Sequence, residues 1–417
     1  MTDQDTVTLD ATERDVIALL DSGVPESRII LVDQHPDYPD NLSFEPLDET
    51  SRGLFLERHK DWVSRYLILN GLHLADQFIE ALEKDGYHPV WTPSAQAVRE
   101  DVARWNAPLD IEGYTLKSFQ TFSMNRALER ARGGQTNTDR FWFWNWSPGS
   151  GKTYCSGAGA LELFNHDDID LVIACTLSKL KINLCRTFQA PAGLNAVVTD
   201  GTKAKRQKMY TAGHQVYVMN YEKLWHDEEG LTALIAGKRV LWVLDEASKL
   251  ITDSTPNKAR QALDRMVRAC HSIVWPMSAT VVGGNPLRYR DVFSLDGQEG
   301  HNPLSTKTDF IQRYADRVRN VPMKTRTGRS FGFTTYDWNL VKLQEIRHRV
   351  GDWTMAVRKT DPGVREQFRG IETIPMYVQA TPGTEQLLGL ILDSARQARD
   401  KGESLAHHYL AARIACI

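Results

Sequence analysis

No stretch of eighteen or more apolar residues occurs in these 417 residues, so the sequence offers no membrane-spanning helix. The first fifteen residues are acidic and polar, without the charged-then-apolar pattern of a secretory leader. The expected location is therefore cytoplasmic or nucleoid-associated, not secreted. Cysteine is scarce. The five present (Cys155, Cys175, Cys185, Cys270 and Cys416) show no C-x-x-C spacing and no clustered histidine. That argues against a zinc framework or a disulfide scaffold and leaves them as small buried apolar side chains. His271 and the pair His407-His408, with only Glu403 one helical turn away, fall short of the converging ligands a metal site needs. No single sign of charge dominates either. A formal net charge of −3 means that any nucleic-acid contact has to come from local basic patches.

What is present is ordinary globular composition, 41% hydrophobic and 25% charged, over a length that accommodates two or three domains. Residues 1–111 read as a smaller, mainly helical accessory region: an apolar run at 28–32, a Pro/Asp-rich loop at 35–46, then helical periodicity over 54–70 and 72–84. From Tyr114 onward the pattern changes to short apolar strands alternating with helices. Strands are expected at 141–146, 171–175, 196–199, 215–219, 239–244 and 272–277, and helices at 152–164, 178–189, 222–236 and 256–270. Near-continuous apolar strands alternating with helices predict an α/β fold with a doubly wound, mainly parallel sheet. Ligands bind such sheets beyond the carboxyl ends of the strands. The alternating Trp142, Trp144 and Trp146 are expected to pack the sheet rather than stack on bases, and the basic run 203–208 to be a solvated helix face.

Two segments carry chemistry. The strand ending at Trp146 runs through Ser147, Pro148, Gly149, Ser150 and Gly151 into Lys152, Thr153 and a helix. Glycines let backbone N–H groups curl around phosphate oxygens, and the helix N-terminus adds a favourable dipole. In such a P-loop Lys152 reaches the β- and γ-phosphates of ATP and the Thr153 hydroxyl holds Mg²⁺. Trp146 stands where the standard pattern has glycine. About ninety residues on, the apolar strand VLWVL ends in Asp245-Glu246-Ala247-Ser248. There Asp245 is suited to holding the Mg²⁺ through water and Glu246 to orienting and deprotonating the attacking water. Lys152, Asp245 and Glu246 are thus the expected catalytic set.

Together with Ser278-Ala279-Thr280, these segments resemble motifs I, II and III of superfamily-two helicases, in order and at matching spacing. Ser248 replaces the last residue of the usual DEAD or DEAH. The resemblance implies a RecA-like lobe over residues 112–380, with Ser278, Ala279 and Thr280 coupling the ATP state to nucleic acid. Finer features are similar to the SWI/SNF branch. Leu116-Lys117-Ser118-Phe119-Gln120 resembles its L-[RK]-P-[YF]-Q element, which implies that Gln120 reads the adenine edge. The segment 172–179 resembles motif Ia and 216–224 motif Ib, which implies DNA-backbone contacts from Ser178, Lys179, Asn220 and Tyr221. Asp200-Gly201-Thr202, Asn285-Pro286, the segment 310–314 and Val357-Arg358-Lys359 resemble further elements of that branch.

A second lobe with a Q-x-x-R-x-x-R element is what such motors need, because its arginines stabilise the transferring phosphoryl group. No such element follows Arg358, and the segment 381–417 reads as two helices stopping at an apolar end. The expectation is a fragment, or a second lobe supplied in cis or in trans, with slow hydrolysis meanwhile. Three functions compete on this reading. They are an ATP-fuelled double-stranded-DNA translocase, a strand-separating helicase of another branch, and a nucleotide-dependent nucleic-acid-binding module without motor activity.

Overall fold

The computed structural model describes residues 11–35, 38–59, 75–137, 139–251, 257–279, 285–296, 303–324, 330–339, 342–344, 346, 349–359, 364, 367–368, 390–391 and 393–394. Residues 1–368 form one compact unit and 369–417 a second.

The centre of the first unit is a seven-stranded sheet. Its members are β4 (Phe143–Trp146), β5 (Leu171–Thr176), β6 (Ala196–Val198), β7 (Val216–Asn220), β8 (Arg239–Asp245), β9 (His271–Met277) and β12 (Thr354–Val357). They lie in the order β12-β4-β9-β8-β5-β7-β6, and every pairing is parallel. This is the RecA-like arrangement, and all carboxyl ends share one edge. Side-chain alternation divides the sheet between two cores. Leu241 and Val243 of β8, Val172 and Ala174 of β5, and Trp144 and Trp146 of β4 join one core. Val240, Trp242 and Leu244, with Leu171, Ile173 and Cys175, join the other. Helices cover both faces. The first is covered by Ser118–Gly133, Lys152–Asn165 and Lys181–Gln189, the second by Lys203–Tyr210, Glu228–Ile235 and Lys258–Ala269. The double cover explains why these strands read as unbroken apolar runs.

Each of the six expected strands is present, its ends shifted by two residues at most. The expected helix 222–236 is instead two helices, Glu222–His226 and Glu228–Ile235. Between them Asp227, 1% exposed, accepts hydrogen bonds from the Arg206 guanidinium and, at 2.9 Å, from the Tyr210 hydroxyl. A carboxylate this buried has to be paired. Arg206 is therefore a structural member of the basic run, while Lys203, Lys205 and Lys208 are exposed, as expected of a solvated face.

The N-terminal region is not simply helical. Its helices Ala11–Asp21, Arg52–Arg58, Ala75–Lys84 and Pro93–Trp105 accompany a three-stranded sheet, β2 (Tyr38–Pro46), β1 (Ile29–His35) and β3 (His88–Trp91). The apolar run at 28–32 is the sequence trace of β1. This region shares the first core: Trp105 meets Phe122 edge-on at 5.8 Å, and the Arg126 guanidinium lies 4.2 Å from the Trp105 ring. A hairpin, β10 (Ala315–Lys324) with β11 (Ser330–Trp338), separates the helix Lys307–Tyr314 from β12 and has no counterpart in the expectations. No helix among the described residues is long and apolar enough to cross a membrane, and none of them cluster as metal ligands. His407-His408 and the tail helices lie outside the described residues.

Candidate functional site

The loop between β4 and the helix Lys152–Asn165 is a phosphate cradle by backbone conformation. Gly149 has φ 70° and Gly151, the N-cap, has φ 91°, both in the left-handed region that L side chains avoid. A Cβ added to Gly151 would collide with the Gln120 side-chain amide, so that position also lacks room. The Ser150 hydroxyl donates to the Ser147 carbonyl at 2.7 Å and tightens the turn. Trp146 stands in place of the usual glycine. Its indole is buried in the first core, 5.3 Å from Phe119 and 5.7 Å from Trp144. Pro148 is exposed, and Thr153, one residue into the helix, is half-buried.

Lys152 is buried, and its Nζ donates to the carbonyls of Trp146 at 2.8 Å and Ser147 at 3.3 Å. Burial holds its ammonium below the usual lysine value, partly offset by the charges of Glu246 and Asp245, while Lys359 pushes in the same direction as burial. The mutual influence of Lys152 with both carboxylates is the geometric link between the two sequence segments.

Asp245 closes β8 and Glu246 follows it. The Thr176 hydroxyl at the end of β5 donates to Asp245 Oδ2 at 2.7 Å, and the Tyr221 hydroxyl donates to the Asp245 carbonyl at 2.6 Å. Burial raises the Asp245 carboxyl above its ordinary 3.8, opposed by the Thr176 hydrogen bond and the Lys152 charge. Glu246 sits at φ 52°, ψ 49°, a left-handed conformation that costs a non-glycine residue roughly 1–2 kcal/mol. Such strain persists where the surroundings impose it, which is common at functional positions. An acid raised on folding contributes stability below its ordinary value and loses it as pH climbs through the raised one. At neutral pH ionised Asp245 therefore costs stability. Thermal melts without nucleotide should give Asp245→Asn a higher Tm than the parent at pH 7, with the gain gone below pH 3.8. An equal or lower Tm at neutral pH would contradict this account of the buried carboxylate.

The remaining expected residues divide. Ser278 is buried just after β9, its N–H donating to the Trp144 carbonyl at 3.2 Å, and Ala279 follows it. Thr280 lies outside the described residues. Ser178 and Lys179 are exposed beyond β5, at the same sheet edge as the cradle, and Asn220 ends β7. Tyr221 is corrected from a nucleic-acid contact to an internal brace. It is 6% exposed and its hydroxyl is spent on Asp245. Gln120 is also turned inward, 4% exposed, accepting from the Lys117 N–H at 2.8 Å and donating to the Ser150 carbonyl at 2.8 Å. Its amide fastens the helix start to the cradle. Thr176 and Lys359 belong to the site without having been singled out for it. No spacing rule reaches Thr176, and the Lys359 position depends on β12 pairing beside β4.

Residues 138–287 match the family model described as DEAD/DEAH box helicase. This segment is similar to a DEAD/DEAH box helicase domain. The match spans the cradle, Asp245-Glu246 and Ser278. No curated protein matches the chain. Among solved structures, it is similar to the Sulfolobus solfataricus SWI2/SNF2 ATPase core in complex with dsDNA, at 16% identity over 74% of this chain and 58% of that one, TM-score 0.46. The Sulfolobus solfataricus SWI2/SNF2 ATPase core domain gives 14%, 70%, 54% and 0.45. The Pyrococcus furiosus Hef helicase domain gives 13%, 69%, 51% and 0.37. The chain thus spans between half and three-fifths of the length of these three structures.

Proposed function

We propose that this chain is the first lobe of an ATP-driven motor of SWI/SNF type that moves on double-stranded DNA. The observation that carries the reading is the convergence of Lys152, Asp245 and Glu246 at one sheet edge, with only β9 between the strands that deliver them. The cradle fits a triphosphate: two left-handed glycines free backbone N–H groups, and the helix N-terminus and Lys152 supply positive charge. The residues present also fit Mg²⁺, which Thr153 and Asp245 would hold and which would neutralise charge on the phosphates. In this mechanism Lys152 draws the β- and γ-phosphates into the loop. Glu246, set apart from Asp245 by its left-handed backbone, orients a water toward the terminal phosphorus and takes its proton. Ser278, tied to β4 and flanked by β8, passes the change at the phosphates toward the exposed nucleic-acid edge at Ser178 and Lys179.

A second lobe, in cis or in trans, completes the engine on this reading. ATP turnover by the chain with its second lobe supplied should rise several-fold when linear duplex DNA is added and respond less to single strands, with no strand separation. Equal rates with and without any nucleic acid would overturn the motor reading. Stimulation by single strands accompanied by unwinding would reassign it to a strand-separating helicase.

A further inference from the structure

The helicase-family match ends at residue 287, yet the cradle has a neighbour from far beyond it. The edge strand β12 pairs in parallel with β4, Val357 opposite Trp146, and the Ser147 N–H donates to the Val357 carbonyl at 2.8 Å. Two residues later Lys359 turns back over the loop. A Cβ added to Gly149 would lie 2.9 Å from Lys359 Nζ, so the ammonium rests against the cradle itself. It is half-buried, and its Nζ lies 5.2 Å from the Phe368 ring, which also has Lys117 Nζ at 5.1 Å. Lys117 Nζ in turn donates to the Gln367 carbonyl. Among the described residues no carboxylate lies within ion-pair distance of Lys359. Two ammonium groups, Lys152 and Lys359, therefore press on one loop, and their like charges repel. An anion with several charges placed between them is attracted by both.

Resting on the nucleotide reading above, we propose that Lys359 is a second phosphate-binding cation of this site. It is delivered from the edge strand and aimed at the outer end of a polyphosphate chain. Lys152 enters from the helix and Lys359 from the edge strand, so a triphosphate is held by cations from two separate elements. A diphosphate, being shorter, engages Lys359 less.

The test is calorimetric titration of the full chain with ATP, ADP and inorganic tripolyphosphate, for the parent, Lys359→Ala and Lys359→Arg. Charge-assisted contacts of this kind are strong, so Lys359→Ala should weaken ATP and tripolyphosphate about tenfold and ADP by less. Lys359→Arg should recover most of the loss, because the charge returns without the original shape. Unchanged affinity in Lys359→Ala, or a loss that Lys359→Arg does not recover, would overturn the proposal. If the parent binds tripolyphosphate but not ATP, the nucleotide reading fails, and the tripolyphosphate arm still decides the role of Lys359.

Discussion

Lys152→Met should bind ATP about a hundredfold more weakly than the parent while remaining folded. That factor corresponds to about 2.7 kcal/mol, the loss of one strong or two weaker charge-assisted contacts to the phosphates at roughly 1.5–3 kcal/mol each. Met keeps most of the buried stem, so the packing against the first core survives. The fold should not suffer. The Lys152 ammonium is held below the ordinary lysine value of 10.5 mainly by burial. A base depressed on folding costs stability wherever pH lies below its ordinary value, and neutral pH is inside that range. Removing the charge therefore leaves Tm at or above that of the parent. Nucleotide titration and a melt on the same sample separate the two effects. Tight ATP binding by a folded Lys152→Met protein would remove the cradle from the nucleotide site.

Glu246→Gln should leave ATP affinity close to the parent value and reduce turnover by about 10²–10⁴, the usual contribution of a positioned general base. The substitution preserves size, and its residue still has to occupy φ 52°. It removes only the ability to accept a proton. Single-turnover measurement with the second lobe supplied distinguishes slow chemistry from slow product release. Undiminished turnover would assign the base to another residue. Asp245 could not take that part easily, since one of its oxygens is engaged by Thr176 in a buried setting.

Much of this site was legible in the sequence because its segments obey local rules. A strand covered on both faces is an apolar run, and a phosphate loop needs its glycines and lysine in consecutive positions. The parts that were not legible depend on partners distant in sequence. Tyr221 looks like a surface aromatic until its hydroxyl is found on the Asp245 carbonyl, 24 residues away. Asp227 sits in an uninterrupted helical pattern, and only burial against Arg206 explains the break. β12 is four residues long, too short for periodicity to separate it from a loop, so Lys359 could be quoted as part of a motif but not placed. The N-terminal sheet was missed for a related reason: β2 is rich in Pro, Asp and Asn and reads as loop until β1 pairs with it.

The position of β9 between β4 and β8 has a mechanical consequence. Neighbouring strands lie about 4.8 Å apart, so the lysine-bearing loop and the carboxylate pair are held about 10 Å apart by one intervening strand. β9 thus acts as a spacer gauge whose thickness sets the opening into which a phosphate chain must fit. It is bonded to β8 along seven residue pairs, and to the β4 side at Trp144–Met277 and, just before β4, at Phe141–Val274. The gauge is thus bonded more continuously on the carboxylate side than on the lysine side. If the opening changes width during a cycle, the seam between β9 and β4 is where it yields, with Ser278 at its end.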